Sequence, residues 1–156
     1  MNVKIKSKRT LSRILDGLRK KGKRIVFTNG CFDIIHLGHV EYLAKAKALG
    51  DVLVVGLNSD SSVKAIKGSG RPINRQAARA RVLAAFYFVD YIAIFSEPTP
   101  EKLIKRLKPD ILVKGGDWKG KRIAGDSFVK SLGGRVVTIP FVKGYSTSGL
   151  IKRCAK

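Results

Sequence analysis

Apolar residues along this chain gather in short unbroken blocks and do not alternate with polar ones. Five such blocks recur: RIVFTNG at 24–30, DVLVVGLN at 51–58, YIAIF at 91–95, DILVK at 110–114 and RVVTI at 135–139. A strand with one wet face alternates, so blocks bounded by Gly, Asp and Pro predict strands covered on both faces, as in a parallel sheet with helices above and below. Between the first two blocks, Leu37, Val40, Ala44 and Ala48 recur at helical spacing, with Gly50 placed as the C-cap. Before the third block, Ala78, Val82, Ala85 and Phe86 form an apolar stripe, and Arg75 and Arg79 stand one turn apart on another face. Thr99 and Pro100 open a helix through Leu103, Ile104 and Leu107, and Ser146 can cap a last one through Leu150 and Ile151.

A helix followed by repeated strand–helix units predicts an α/β fold: a Rossmann-like, doubly wound sheet of five parallel strands. Its ligand site is expected at the carboxyl ends of the strands, near the point where strand order reverses. The stretch GSGRPIN at 68–74 is the segment expected to be a mobile loop.

Composition narrows the class further. A chain of 156 residues predicts one domain, divided into a basic arm and helix at 1–23 and a folded body at 24–156. With 44% hydrophobic and 28% charged residues, it matches a globular chain and excludes a disordered one. No apolar run approaches the roughly 18 residues of a membrane span, and no signal-like segment follows the basic N-terminus, so a cytoplasmic protein without membrane partners is expected. Cys31 and Cys154 are the only cysteines and form no CxxC pair, which argues against a disulfide scaffold or zinc finger. The net charge of +21 attracts polyanions of any kind and names none. Ten of the 32 Lys and Arg fall in the first 24 positions, where Asp16 is the only acid.

Candidate chemistry sits where the first block ends. Thr28-Asn29-Gly30-Cys31-Phe32-Asp33 leads into a helix beginning near His36-Leu37-Gly38-His39. Backbone N–H groups and the helix dipole make such a turn an anion site, and Gly30 lets the backbone approach a phosphate. The two histidines, the only ones in the chain, stand three apart and so share one helix face, with Gly38 leaving room for a ligand. Imidazoles there can donate to phosphate oxygens as negative charge builds in a transition state, and no protein nucleophile is required. A zinc site is not expected, because only Cys31 and Asp33 lie near the pair, and no metal-ligating residue is assigned.

The HxGH segment 36–39 preceded by TNGCFD at 28–33 resembles the signature of the cytidylyltransferase-like nucleotidyltransferases. Within that group the sequence is most similar to the adenylyltransferases of ADP-heptose synthesis. The resemblance runs from about Arg24 to Lys152 and includes NSD at 58–60, KAIKGSGRPIN at 64–74, Arg79 eleven residues before Asp90, LVKGGDW at 112–118 and STS at 146–148. It implies transfer of AMP from ATP to D-glycero-β-D-manno-heptose 1-phosphate, giving ADP-heptose for the lipopolysaccharide core and pyrophosphate, with Mg²⁺ accompanying ATP.

On the same resemblance, His36 and His39 are catalytic and contact the triphosphate, and Lys67 joins them as a mobile charge. The nucleotide-binding set comprises Thr28, Asn29, Gly30, Cys31, Phe32, Asp33, Gly38, Asn58, Asp60, Lys64, Arg79, Lys114, Gly115, Asp117, Ser146, Thr147 and Ser148. Lys64 and Lys67 are placed in the loop after the second strand, and Arg79 and Lys114 are expected to face the anionic ligands. Phe32 and Trp118 are read as packing before base stacking. A homodimer is implied, as is a separate heptose kinase, since no sugar-kinase segment stands ahead of the transferase. Glycerol-3-phosphate cytidylyltransferases carry an Arg shortly before their Ser-Thr motif, where this chain reads FVKGY at 141–145. That enzyme and an FMN-adenylating FAD synthase are the rivals on this fold. A basic nucleic-acid-binding module is the rival from another class, opposed by the lack of aromatics among the basic runs.

Overall fold

In the computed structural model, residues 3–118 and 120–154 are described. Chain order is α1 (Lys8–Lys20), β1 (Ile25–Gly30), α2 (Leu37–Lys47), β2 (Val52–Asn58), α3 (Asp60–Lys67), α4 (Gln76–Ala85), β3 (Tyr91–Phe95), α5 (Glu101–Leu107), β4 (Ile111–Gly115), a 3-10 turn (Gly116–Trp118), α6 (Asp126–Ser131), β5 (Arg135–Ile139) and α7 (Thr147–Cys154). The five strands pair in parallel in the order β3-β2-β1-β4-β5, a Rossmann-like sheet whose order reverses between β1 and β4.

The unbroken apolar blocks are explained by two cores, one on each face of the sheet. Along β2, Leu53, Val55 and Leu57 point toward α2 and α4, while Val52 and Val54 point toward α1, α5 and α6. Every residue of β2 is buried, so no position alternates to water. Gly56 is required there, because a Cβ would come within 2.7 Å of the Phe27 ring on β1.

The basic N-terminal segment is not a free arm. Leu11 and Leu15 of α1 are fully buried in the second core. Upstream, the Lys6 N–H donates to the Ile92 carbonyl and the Ile92 N–H to the Lys4 carbonyl, both at 2.9 Å, so the segment lies against the outer edge of β3. Residue 23 therefore marks no structural boundary.

Several helices differ from the pattern. α4 buries Arg79, Ala80, Leu83 and Ala84, whereas Ala78, Val82 and Ala85 of the expected stripe face water. The segment is alanine-rich and nearly symmetric in polarity, and the largest side chain it buries fully is an arginine, so apolar periodicity selects the wrong face. On α2, Val40 and Ala44 pack against the core as expected, but Leu43 and Ala46 are the buried pair, with Leu37 and Ala48 exposed. Gly50 is not the cap of α2, whose C-cap is Ala48; a Cβ at Gly50 would meet Val26 Cγ2 at 2.7 Å, and close packing explains the glycine. Helices α3 and α6 have no counterpart in the pattern reading, and Lys64 and Lys67 lie on α3, not in a loop.

Replacing Leu15 with Ala removes a fully buried side chain from the helix that closes the second core. The free energy of unfolding in urea is expected to fall by about 2–5 kcal/mol. A loss below about 0.5 kcal/mol would show α1 to be a detachable arm.

Candidate active site

A cavity of about 640 Å³ opens over the carboxyl ends of β1 and β4, where strand order reverses. His36 is the N-cap of α2 and its backbone is extended, with φ −143° and ψ 170°, yet its side chain makes no capping hydrogen bond. The ring instead stacks on His39, one turn into the helix, with centroids 3.8 Å apart and planes at 20°. Gly38 keeps the slot open, since a Cβ there would lie 3.1 Å from the His36 ring and 3.4 Å from Tyr145.

Behind the stack, Phe32 meets His39 edge-on at 5.2 Å. Phe32 is buried and adopts φ 45°, a left-handed conformation costing a bulky residue roughly 1–3 kcal/mol, which the seating of its ring in the core offsets. Gly30 is fitted to that ring, because its Cβ would approach Phe32 Cε2 to 3.0 Å. Phe32 is thus a packing residue that supports the imidazoles.

Both imidazoles are held neutral. Burial pushes His39 down to about 4, with the adjacent His36 adding to the effect and a backbone hydrogen bond at Ile34 opposing it. Burial also lowers His36. The Nδ1 atom of each ring is buried without a hydrogen-bond partner among the described residues. Two unsatisfied ring nitrogens in one stacked pair beside a cavity are costly unless a ligand engages them.

Across the reversal point, Lys114 Nζ donates to Asn29 Oδ1 at 2.6 Å and stands 4.9 Å from the centre of the Trp118 ring. Trp118 is partly exposed and lines the cavity, as does Gly115. The start of α7 closes the near side: Ser146 Oγ accepts from the Gly149 N–H at 3.0 Å, and Thr147 and Ser148 line the cavity beside it. Lys67 reaches the rim from the end of α3. Cys31 also lines it, and burial raises its thiol above the ordinary range despite the opposing charges of Lys67, Arg79 and Arg71.

Other expected site residues are used elsewhere. Thr28 is fully buried and its hydroxyl pairs with the Tyr42 hydroxyl at 2.7 Å, fixing α2 to β1. Asn58 Nδ2 donates to Ser62 Oγ at 2.9 Å. Asp60 accepts from the Gln76 N–H at 2.7 Å and from Arg79 Nη2 at 2.8 Å. Lys64 is solvated on α3 outside the cavity. Asp117 lies in the 3-10 turn, and its side chain falls outside the described residues.

Arg79, expected to face the anionic ligands, is 0% exposed as a side chain and spends its donors on Asp60 and the carbonyls of Cys31 and Asn74. It rivets the β1 exit to α3 and to the loop at 68–74. Asp33 does touch the cavity, but its carboxylate accepts from Arg71 Nε at 2.6 Å and from the N–H groups of Ile73 and Asn74 at 2.9 and 2.8 Å. Burial raises the Asp33 pKa, but those three donors outweigh it and hold the carboxyl below its ordinary value. The second half of the expected mobile loop is therefore tied down.

Sequence reasoning missed Tyr42, Arg71, Phe141 and Tyr145 as lining residues. Arg71 lies inside the GRPIN run, so a signal is present; the others follow no pattern. A second cleft of about 590 Å³, at the opposite end of the sheet, holds Arg19, Lys23, Arg24 and Arg135 but no histidine, and the Asp110 carboxylate there accepts the Ile25 N–H at 2.7 Å.

A family model described as cytidylyltransferase-like matches residues 27–149. The chain belongs to the cytidylyltransferase-like family. Among its relatives, the bifunctional protein HldE of a Nitratiruptor species is 58% identical over 149 residues, 96% of this chain and 31% of that protein. HldE of Geotalea uraniireducens (strain Rf4) is 51% identical over 152 residues, 97% of this chain and 31% of the other. The chain thus spans about a third of the length of these curated relatives. A crystal structure of the lipopolysaccharide core biosynthesis protein from Thermoplasma volcanium GSS1 is 33% identical with a TM-score of 0.64, covering 80% of this chain and 100% of that one. Pantoate-beta-alanine ligase from Francisella tularensis, complexed with beta-gamma ATP and beta-alanine, shares the fold alone at 18% identity and TM-score 0.68, over 96% of this chain and 72% of that one. The cytidylyltransferase-like match begins in β1 and ends in α7, so the β1 exit and the start of α7 fall within it while α1 does not.

Two outcomes are expected. Arg79→Ala removes the side-chain donor of two carbonyls and leaves Asp60 only the Gln76 N–H, and should cost about 3–5 kcal/mol in urea denaturation, with Arg79→Lys recovering only part. A stable Arg79→Ala protein with weakened nucleotide binding would return Arg79 to the ligand-facing set. Secondly, His39 protonates near 6.5 when unfolded but at about 4 when folded, so its contribution to stability is complete above pH 6.5 and is lost as pH falls toward 4. Thermal melts across that range should show the wild type losing more of its melting temperature than His39→Gln.

Proposed function

We propose that the chain transfers AMP from ATP to D-glycero-β-D-manno-heptose 1-phosphate, forming ADP-heptose and pyrophosphate. The observation that carries the transfer is the stacked His36–His39 pair, unpartnered at Nδ1, at the start of α2 over the glycine-lined β1 exit. The choice of acceptor is supported by the ordered motifs around that pair and by the 33% identity to a protein described as acting in lipopolysaccharide core biosynthesis.

In this reading an oxygen of the sugar phosphate attacks the α-phosphorus of ATP. The bond from that phosphorus to the bridging oxygen breaks, and pyrophosphate leaves with the electron pair. The attacking group already carries negative charge, so no general base and no covalent intermediate are needed. The imidazoles, neutral before binding, donate to α-phosphate oxygens or take up a proton as charge accumulates; both responses stabilise the transition state more than the ground state. Lys114 and the N-terminus of α7 add positive potential along the triphosphate.

Mg²⁺ enters as part of the nucleotide substrate. Asp33 is the one carboxylate among the described lining residues, and its oxygens are occupied by Arg71, Ile73 and Asn74, which supports the triphosphate as the carrier of the ion. We place the activity in the cytoplasm, supplied by a heptose kinase and carried out by a homodimer. Among the described residues, no helix is long and apolar enough to cross a membrane.

Incubation with each nucleoside triphosphate and candidate acceptor, read as pyrophosphate release, should give turnover with ATP and heptose 1-phosphate. Turnover only with CTP and glycerol 3-phosphate, or with ATP and FMN, would overturn the acceptor. His36→Ala and His39→Ala should each lower kcat by roughly 10²–10³ with the fold intact by circular dichroism. Near-normal turnover in either would remove its catalytic role.

A further inference from the structure

We propose that Arg71 is the residue that grips the phosphate of the acceptor, an inference that rests on the nucleotidyl transfer proposed above. Its side chain is 18% exposed and lines the cavity, while Asp33, its anchor, is 1% exposed. The anchor engages only Nε, at 2.6 Å. No hydrogen bond among the described residues uses Nη1 or Nη2, so the forked end of the guanidinium is held rigid and left available beside the cavity. The loop that carries it is fixed by the same carboxylate through Ile73 and Asn74, and Asn74 Nδ2 donates in turn to the Asp33 carbonyl at 2.7 Å. A guanidinium whose position is set before binding loses little freedom on closing two parallel N–H···O contacts with a phosphate.

The arrangement of the cavity favours the acceptor over the triphosphate. On the β4 and β5 side stand the aromatic rings of Trp118 and Phe141 and the start of α7, features suited to a nucleoside and a phosphate chain. That side adjoins His36 through Tyr145, whose ring centroid lies 6.5 Å away. Arg71 and Lys67 belong instead to the β2 side, joined to the β1 exit by Asp33. In-line displacement places the attacking and leaving oxygens on opposite sides of the α-phosphorus, which the histidine pair faces in this reading. With the α7 turn taking the departing pyrophosphate, the cationic fork opposite matches the single phosphate of the attacking molecule.

Calorimetric titration of inorganic phosphate into protein saturated with Mg²⁺ and α,β-methylene-ATP tests this without presuming the sugar. Wild type should bind phosphate, and Arg71→Gln and Arg71→Lys should each weaken it by about tenfold or more. Affinity for the ATP analogue should stay within about twofold of wild type in both. Arg71→Lys can keep the ion pair to Asp33, and so the loop, while losing the fork; its melting temperature should match wild type. Absence of phosphate binding in wild type, unchanged phosphate affinity in both variants, or an equal loss of ATP-analogue affinity would each overturn the assignment. Failure of the wild type to turn over heptose 1-phosphate would remove that sugar as acceptor and leave the phosphate titration to be judged by itself.

Discussion

A cation without access to water organises this end of the molecule. Arg79 satisfies the Cys31 carbonyl on the β1 exit, the Asn74 carbonyl at the end of the glycine-rich loop and the Asp60 carboxylate at the start of α3. These three segments have little apolar surface of their own, so hydrogen bonds to one buried guanidinium do what side-chain packing does elsewhere in the sheet. Remove the positive charge and three acceptors each lose a donor together. Asp33 mirrors the arrangement with opposite sign, accepting from the same loop. The stacked histidines follow the β1 exit, which both hubs hold at Cys31 and Asp33.

What could be read from the sequence divides along the same line. Unbroken apolar blocks located all five strands; in β1, β2 and β4, burial on both faces leaves a composition that little else produces. HxGH placed the imidazoles on one face of a helix start because the spacing alone dictates it. The same reasoning failed where charge is buried. The resemblance set Arg79 and Asp33 among the ligand contacts; Arg79 is spent on two carbonyls and Asp60, while Asp33 lines the cavity with its carboxylate already paired, and nothing local in the sequence distinguishes a charge facing a phosphate from one facing a carbonyl. Helix α3 escaped notice because it opens with Asp60 and Ser61 and buries only Ser62 and Val63, too little apolar surface to register as a stripe. Tyr42, Phe141 and Tyr145 reach the cavity from three separate segments, and only the folded topology brings them together.

The site combines low local dielectric with positive potential. The imidazoles are neutral because burial disfavours their charged form, while lysines and backbone dipoles around them supply the field. In the proposed reaction, a polyphosphate entering the site supplies the negative charge that favours protonation of the histidines.

The pairing of residues 4–6 with the outer edge of β3 has a consequence of another kind. An open parallel edge offers a row of unsatisfied donors and acceptors to any other extended chain. Here that row is partly filled from within, by a strip bearing Lys4, Lys6 and Lys8, with Lys4 also donating to the Phe86 carbonyl and Lys8 paired with Glu97. The lysines that inflate the charge at this end of the chain thus guard the sheet against recruitment by strangers. Shortening the chain past residue 6 would trade a covered edge for a sticky one, whatever it did to the chemistry at the far end of the strands.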